Sequence, residues 1–178
     1  MIRIIAALAL AFVASTASAE TPWEVLERFG LTGTWAASCD RASTRQNFFE
    51  TFSRGPNGAA RRDVDRGAEV PIAASFIESA EILSQTTLRF RIRNSDPNWG
   101  RLNNLTYDVV FIKEDDPRTK EPIRIRGLES AVSDGRIIAK GGMLLSIAKP
   151  TYWQYKCRMA ISARGSDWRT QAAMLSGM

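Results

Sequence analysis

Between residues 86 and 126 the chain changes side-chain character at every second position, and this restricts the fold more than any other feature. Leu88, Phe90 and Ile92 alternate with Arg89, Arg91 and Arg93. Leu105, Tyr107, Val109 and Phe111 alternate with Thr106, Asp108, Val110 and Ile112, and Ile123 and Ile125 alternate with Arg124 and Arg126. Successive strand side chains point to opposite faces, so a period of two marks strands with one buried and one wet face. Phe48 and Phe52 follow the pattern more weakly, around Glu50.

Turn-forming residues separate these runs. Gly55-Pro56-Asn57-Gly58, the stretch from Asn94 to Gly100 and the stretch from Glu114 to Lys120 all read as loops. Asp134-Gly135 predicts a type I′ hairpin, which needs positive φ at both central residues. Gly141-Gly142 predicts a strand bend or bulge. Strands are expected at 31–40, 46–54, 58–65, 70–83, 86–93, 104–114, 122–132 and 136–147, with a last segment, 151–161, returning beside the first. Short strands at this spacing imply an all-β chain, an up-and-down barrel or a sandwich. Of these we expect an antiparallel up-and-down barrel of about eight strands. Leu88, Phe90, Ile92, Tyr107, Val109, Phe111, Ile123 and Ile125 are expected to face inward.

Ahead of the strands, Thr21 can cap a helix, Pro22 suits its first position and Gly30 its stop. Trp23, Leu26 and Phe29 fall near one face, so a short N-terminal helix is expected to lie against the sheet. Ser166 is placed to cap a second short helix through Trp168, Ala172, Ala173 and Leu175, or the tail stays disordered.

The first nineteen residues carry Arg3, an unbroken apolar run from Ile4 to Val13, and Ala17-Ser18-Ala19 before Glu20. These are the three parts of a secretory signal, and ten apolar residues are too few to cross a bilayer core of roughly 30 Å. The expected organisation is therefore 1–19 signal peptide, 20–30 helical segment, 31–163 barrel and 164–178 tail, with the domain periplasmic or secreted. Both cysteines, Cys39 and Cys157, lie after the signal. In an oxidising compartment such a pair is expected to form a disulfide, and a loop of this length is worth roughly 4–5 kcal/mol in the chain-entropy description.

Leu31-Thr32-Gly33-Thr34-Trp35, following the short helix, resembles the Gly-x-Trp signature at the first strand of lipocalins. The stretch Phe29–Asp40, with Cys157-Arg158 near the other end, also resembles a group of small exported alphaproteobacterial proteins. The resemblance implies a calycin-type barrel over residues 22–161. It also implies an Arg from the last strand packed across Trp35. If Cys39 opposes Cys157 in an antiparallel pair, Trp35 opposes Ile161, and Arg158 points to the other face.

The chain has no histidine, which removes the commonest general base and metal ligand. Asp63/Asp65 and Asp115/Asp116 are the carboxylate pairs, and both read as solvated turns. Gly141-Gly142 lacks the context of a phosphate loop. We expect no catalytic residue, no metal and no cofactor. The formal charge of +5, one unit of which is Arg3, falls short of a nucleic-acid footprint. We also expect no membrane-spanning segment.

The expected function is binding of a small hydrophobic ligand inside the barrel, with Trp35, Phe90, Trp99, Tyr107 and Phe111 as contacts. Trp99, in a Pro/Asn/Gly loop, reads as an anchor or as a cover over the mouth. Tyr152, Trp153 and Tyr155 read as packing around the disulfide. Arg89, Arg91, Arg93, Arg124 and Arg126 would form a basic outer patch if their strands are neighbours, open to weak association with an anionic surface, or else a charged face that protects the sheet. The alternative is a protein-interaction module such as an inhibitor of a periplasmic hydrolase. The resemblance extends to metalloprotease inhibitors whose N-terminal segment enters the enzyme. A free, extended Glu20–Glu24 would favour that alternative, and a packed helix would oppose it.

Overall fold

The computed structural model describes residues 19–157. The expected signal up to its last residue, Arg158, Ile161 and the tail helix lie outside them.

Among the described residues eleven strands form one antiparallel sheet, and eight of them close into a barrel. In chain order these are β1 (Gly33–Ala36), β2 (Phe49–Arg54), β3 (Ala60–Asp65), β4 (Ala73–Ser84), β5 (Thr87–Asn94), β6 (Thr106–Asp115) and β7 (Pro122–Val132). β8 (Ile137–Lys140), β9 (Met143–Leu144), β10 (Lys149–Pro150) and β11 (Gln154–Cys157) follow. Each of β1 to β7 pairs with the next, and β11 joins β7 to β1. Closure removes free edges from the barrel wall.

β7 carries two neighbours on one side. β11 pairs with Arg124 and Ile125, and β8 pairs with Ser130 and Ala131. Between them the Gly142 amide donates to the Leu128 carbonyl at 2.8 Å, and the Thr151 hydroxyl donates to the Gly127 carbonyl at 2.6 Å. β8, β9 and β10 then branch off as a small flap.

This corrects the expected stave at 136–147. Gly141 and Gly142, at φ 57° and 75°, turn the chain so that Lys140 faces Met143. The bend expected there is a full reversal, and the eighth stave is the short β11. The hairpin at Asp134-Gly135 differs too. Only Gly135 has positive φ, and its amide donates to the Val132 carbonyl at 2.9 Å. The loop is a β-turn followed by a left-handed glycine, not a type I′ pair.

The two-residue pattern becomes burial directly. In β5, Leu88, Phe90, Ile92 and Asn94 are buried while Arg89, Arg91 and Arg93 are exposed. Register sets Leu88 opposite Phe111, Phe90 opposite Val109 and Ile92 opposite Tyr107. Phe52, Phe90 and Phe111 then meet edge to face, with centroids 5.1–6.4 Å apart. Ile123 departs from its expected inward place and is 42% exposed. Pairing passes from Glu114↔Arg124 to Asp115↔Pro122, so a bulge at Ile123 turns it out.

The helix α1 (Pro22–Phe29) forms as expected, with a capping box between Thr21 and Glu24 and a left-handed Gly30 at its end. Val25, Leu26 and Phe29 are buried in the same cluster as Trp35 and Phe52, closing the floor of the barrel. Trp35 is fully buried, and its indole N–H donates to the Leu31 carbonyl at 2.7 Å.

Trp35 stands opposite Lys156, not in the Cys39-opposite-Cys157 register, because Cys157 faces Thr34. The cation across the indole ring is Lys156, 5.5 Å from the centroid, where the resemblance implies an Arg. β1 ends at Ala36, and Cys39 reaches Cys157 from the following loop to form the disulfide, with Cα atoms 5.4 Å apart. Among the described residues no helix is long and apolar enough to cross a membrane.

Candidate functional site

The mouth is the end opposite the helix, where the loops after β1, β3 and β5 emerge. Beneath it lies a cavity of about 380 Å³. It opens to solvent on one side and is lined mainly by apolar atoms, as small-molecule pockets are. Ile92, Val109 and Phe111 form its deep apolar wall, and Ile138, Ala139 and Leu144 of the flap form one side. Phe111 rests on Phe52 and Phe90, which ties the wall to the packed floor.

Trp99 stands at the mouth and lines the cavity. It sits in a turn of 3-10 helix, Pro97–Leu102, started by Asp96, whose side chain accepts from the Asn98 amide. The Trp99 indole N–H donates to the Ala74 carbonyl at 2.7 Å, and the Arg62 and Arg66 guanidinium groups lie 5.8 and 5.1 Å from the ring centroid. Buried Asn94 anchors the same loop by donating to the Leu102 carbonyl at 3.0 Å, and it accepts from Ser75 at 2.9 Å.

A polar group of residues faces the apolar wall. Glu50, only 3% exposed, forms an ion pair with Arg62, and both line the cavity. Gln154 and Tyr107 line it as well. The Arg62 Nε, the Tyr107 Oη and the Gln154 Nε2 are buried without a hydrogen-bond partner. A buried polar group left unmatched costs roughly 1–3 kcal/mol, so three on one cavity wall are an unusual concentration. Burial also pushes the Tyr107 phenol above its ordinary pKa, keeping it neutral.

Of the five residues expected to touch a ligand, Trp99, Tyr107 and Phe111 line this cavity. Phe90 packs behind Phe111, and Trp35 belongs to the floor. Sequence reading missed Glu50, Arg62 and Gln154. Glu50 shares its parity with Phe48 and Phe52, and an acid in an inward register must find a partner; that was the available signal.

The five arginines do not assemble into one unpaired patch. Arg89 pairs with Glu81 at 3.7 Å, Arg91 with Asp108 at 2.8 Å, Arg93 with Glu78 at 2.9 Å and Arg124 with Glu114 at 2.6 Å. β6 lies between β5 and β7 and supplies Asp108 and Glu114, which separates the two groups. Arg126 and Arg124 instead stack on Trp153, 5.0 and 4.4 Å from its centroid. The carboxylate pairs are committed as well. Asp63 binds Arg61, Asp65 accepts from the Gly67 amide, Asp115 binds Lys113, and Asp116 accepts from the Arg118 and Thr119 amides. Among the described residues no group of acids or cysteines could hold a metal.

Comparison with known proteins finds no match, whether to a family model, a curated protein or a solved structure.

Proposed function

We propose that this chain is an exported protein that binds one small, largely apolar ligand in the mouth half of its barrel, and that it acts by binding without catalytic turnover. The observation that carries this reading is the cavity of about 380 Å³, apolar on its deep wall and polar along one side. Ligand pockets have this make-up and start at roughly 300 Å³, and an eight-stranded barrel has room for one small ligand. The Gly33-x-Trp35 strand, the floor helix and the cation across Trp35 support a lipocalin-like kinship. The signal-like leader and the disulfide support export to the periplasm or beyond. The hydrolase-inhibitor alternative loses support, because Glu20–Glu24 is not free: Thr21 and Glu24 form the capping box of the packed helix, and Glu20 is held by Arg28.

Titration with hydrophobic ligands, followed by tryptophan fluorescence, tests the reading. Quenching at micromolar ligand is expected, and Trp99→Phe should remove most of that signal. Ala139→Phe should fill the cavity and abolish binding while the thermal melt persists. Failure of every ligand to bind, together with hydrolytic turnover lost on a single carboxylate substitution, would overturn it.

A further inference from the structure

We propose that the β8–β10 flap docks the protein on an anionic lipid surface. The flap ends in a tight turn, Leu145-Ser146-Ile147-Ala148, joining β9 to β10. Such turns normally carry Gly, Asn, Asp or Ser. Here Leu145 is 51% exposed, Ile147 54% and Ile137, at the root, 53%. Met143 on β9 is exposed as well. Single exposed apolar residues are ordinary, but several on one hairpin mark an interaction surface.

Charge selects the occupant. From Arg136 to Cys157 the chain carries Arg136, Lys140, Lys149 and Lys156, and no acid. Arg136 pairs with Asp134, and Lys156 donates to the Gly30 carbonyl. Lys140 and Lys149 are exposed and have no ion pair among the described residues; Lys149, opposite Leu144, adjoins the tip, and Lys140, opposite Met143, stands at the Gly141-Gly142 end of the same short flap. An apolar tip on a small flap that also carries two free ammonium groups matches a bilayer interface: the tip enters the acyl boundary, and the lysines meet phosphates.

The arginine faces of β5 and β7 offer no such match, since carboxylates already neutralise most of them. Strand addition by a protein is also disfavoured, because the flap's outer edge is the two-residue β10, which ends in Pro150. Ile138, Ala139 and Leu144 of the same flap line the cavity, so docking would set the mouth against the membrane.

Sedimentation of the disulfide-bonded protein with phosphatidylcholine vesicles, with and without phosphatidylglycerol, tests this. Binding is expected only with phosphatidylglycerol and should weaken as salt rises. Replacing Leu145 and Ile147 together by Ser should weaken it more than tenfold without lowering the thermal melt, because both side chains are exposed. Lys140→Gln and Lys149→Gln should each weaken it about fivefold, and Arg91→Gln should leave it unchanged. No binding to phosphatidylglycerol vesicles, or binding indifferent to the tip and lysine changes, would overturn the proposal. A protein captured through the tip when vesicles are not bound would also overturn it, in favour of a protein interface.

Discussion

The floor and the mouth of this barrel are built from the same strands by opposite means. Toward the helix the inward side chains are Phe52 on β2, Ile77 on β4, Leu88 and Phe90 on β5 and Phe111 on β6, all buried and mutually packed. Toward the mouth the same strands turn inward Glu50, Ser75, Asn94 and Tyr107. Each strand thus runs from apolar to polar along one face. The floor can fill itself with dispersion contacts, and the mouth has polar groups whose needs its own side chains do not all meet. On the function proposed above, this division sets most of the stability at one end and recognition at the other.

Two tryptophans test the division most sharply. Trp35→Ala empties a fully buried floor site and should cost about 3–5 kcal/mol in denaturant unfolding. Next, Cys157→Ser releases the loop closed through Cys39 and should cost about 2–5 kcal/mol, and wild-type protein should show no free thiol on denaturation. Arg62→Leu leaves the buried Glu50 carboxylate unpaired. We expect a loss of about 2–3 kcal/mol, below the roughly 3–5 of a fully enclosed pair because the cavity can admit water. Trp99→Ala removes one hydrogen bond and two cation contacts at a half-buried site. It should cost only about 1 kcal/mol, yet weaken ligand binding strongly. If Trp99→Ala proves as destabilising as Trp35→Ala, the mouth belongs to the core and the comparison fails.

Sequence made the floor more legible than the mouth, for a physical reason. Burial of Leu88, Phe90 and Ile92 follows from hydrophobic alternation alone, and the caps of α1 from Thr21, Pro22 and Gly30. Those are local signals. The mouth depends on pairings between strands. Arg62 has no local pattern that marks it as inward and meets Glu50 only when β2 and β3 pair, and Gln154 gains its place only when β11, four residues long, slots between β7 and β1. The reversal at Gly141-Gly142 was visible as a bend but not as a hairpin, because Ile137 to Leu145 is apolar enough to read as one stave. The exposure of Ile123 depends on a bulge set by β6, which no pattern within 122–132 could announce.

The outer wall is a third region, neither core nor site, and the smallest expected effect checks it. Arg91 grips Asp108 with two hydrogen bonds, at 2.8 and 2.9 Å, across β5 and β6. Both side chains are about half exposed, so solvent screens the pair, and its worth should be under about 1 kcal/mol. The hydrogen bonds from Arg91 hold the Asp108 carboxyl below its ordinary pKa. A carboxyl more acidic in the folded than in the unfolded chain adds stability that is fully present above the unfolded value, about 3.9. That stability fades as pH falls from there through the lower folded value. Asp108→Asn should therefore melt slightly below wild type near neutral pH, by a constant margin down to about pH 5, and the two should converge in more acid solution. Added salt should narrow the margin at any pH. Calorimetric melts of both proteins across this range are the measurement. A margin above about 2 kcal/mol, or one that widens in acid, would mean that the outer arginine face contributes more than solvated pairing, and the separation of wall from site would have to be redrawn.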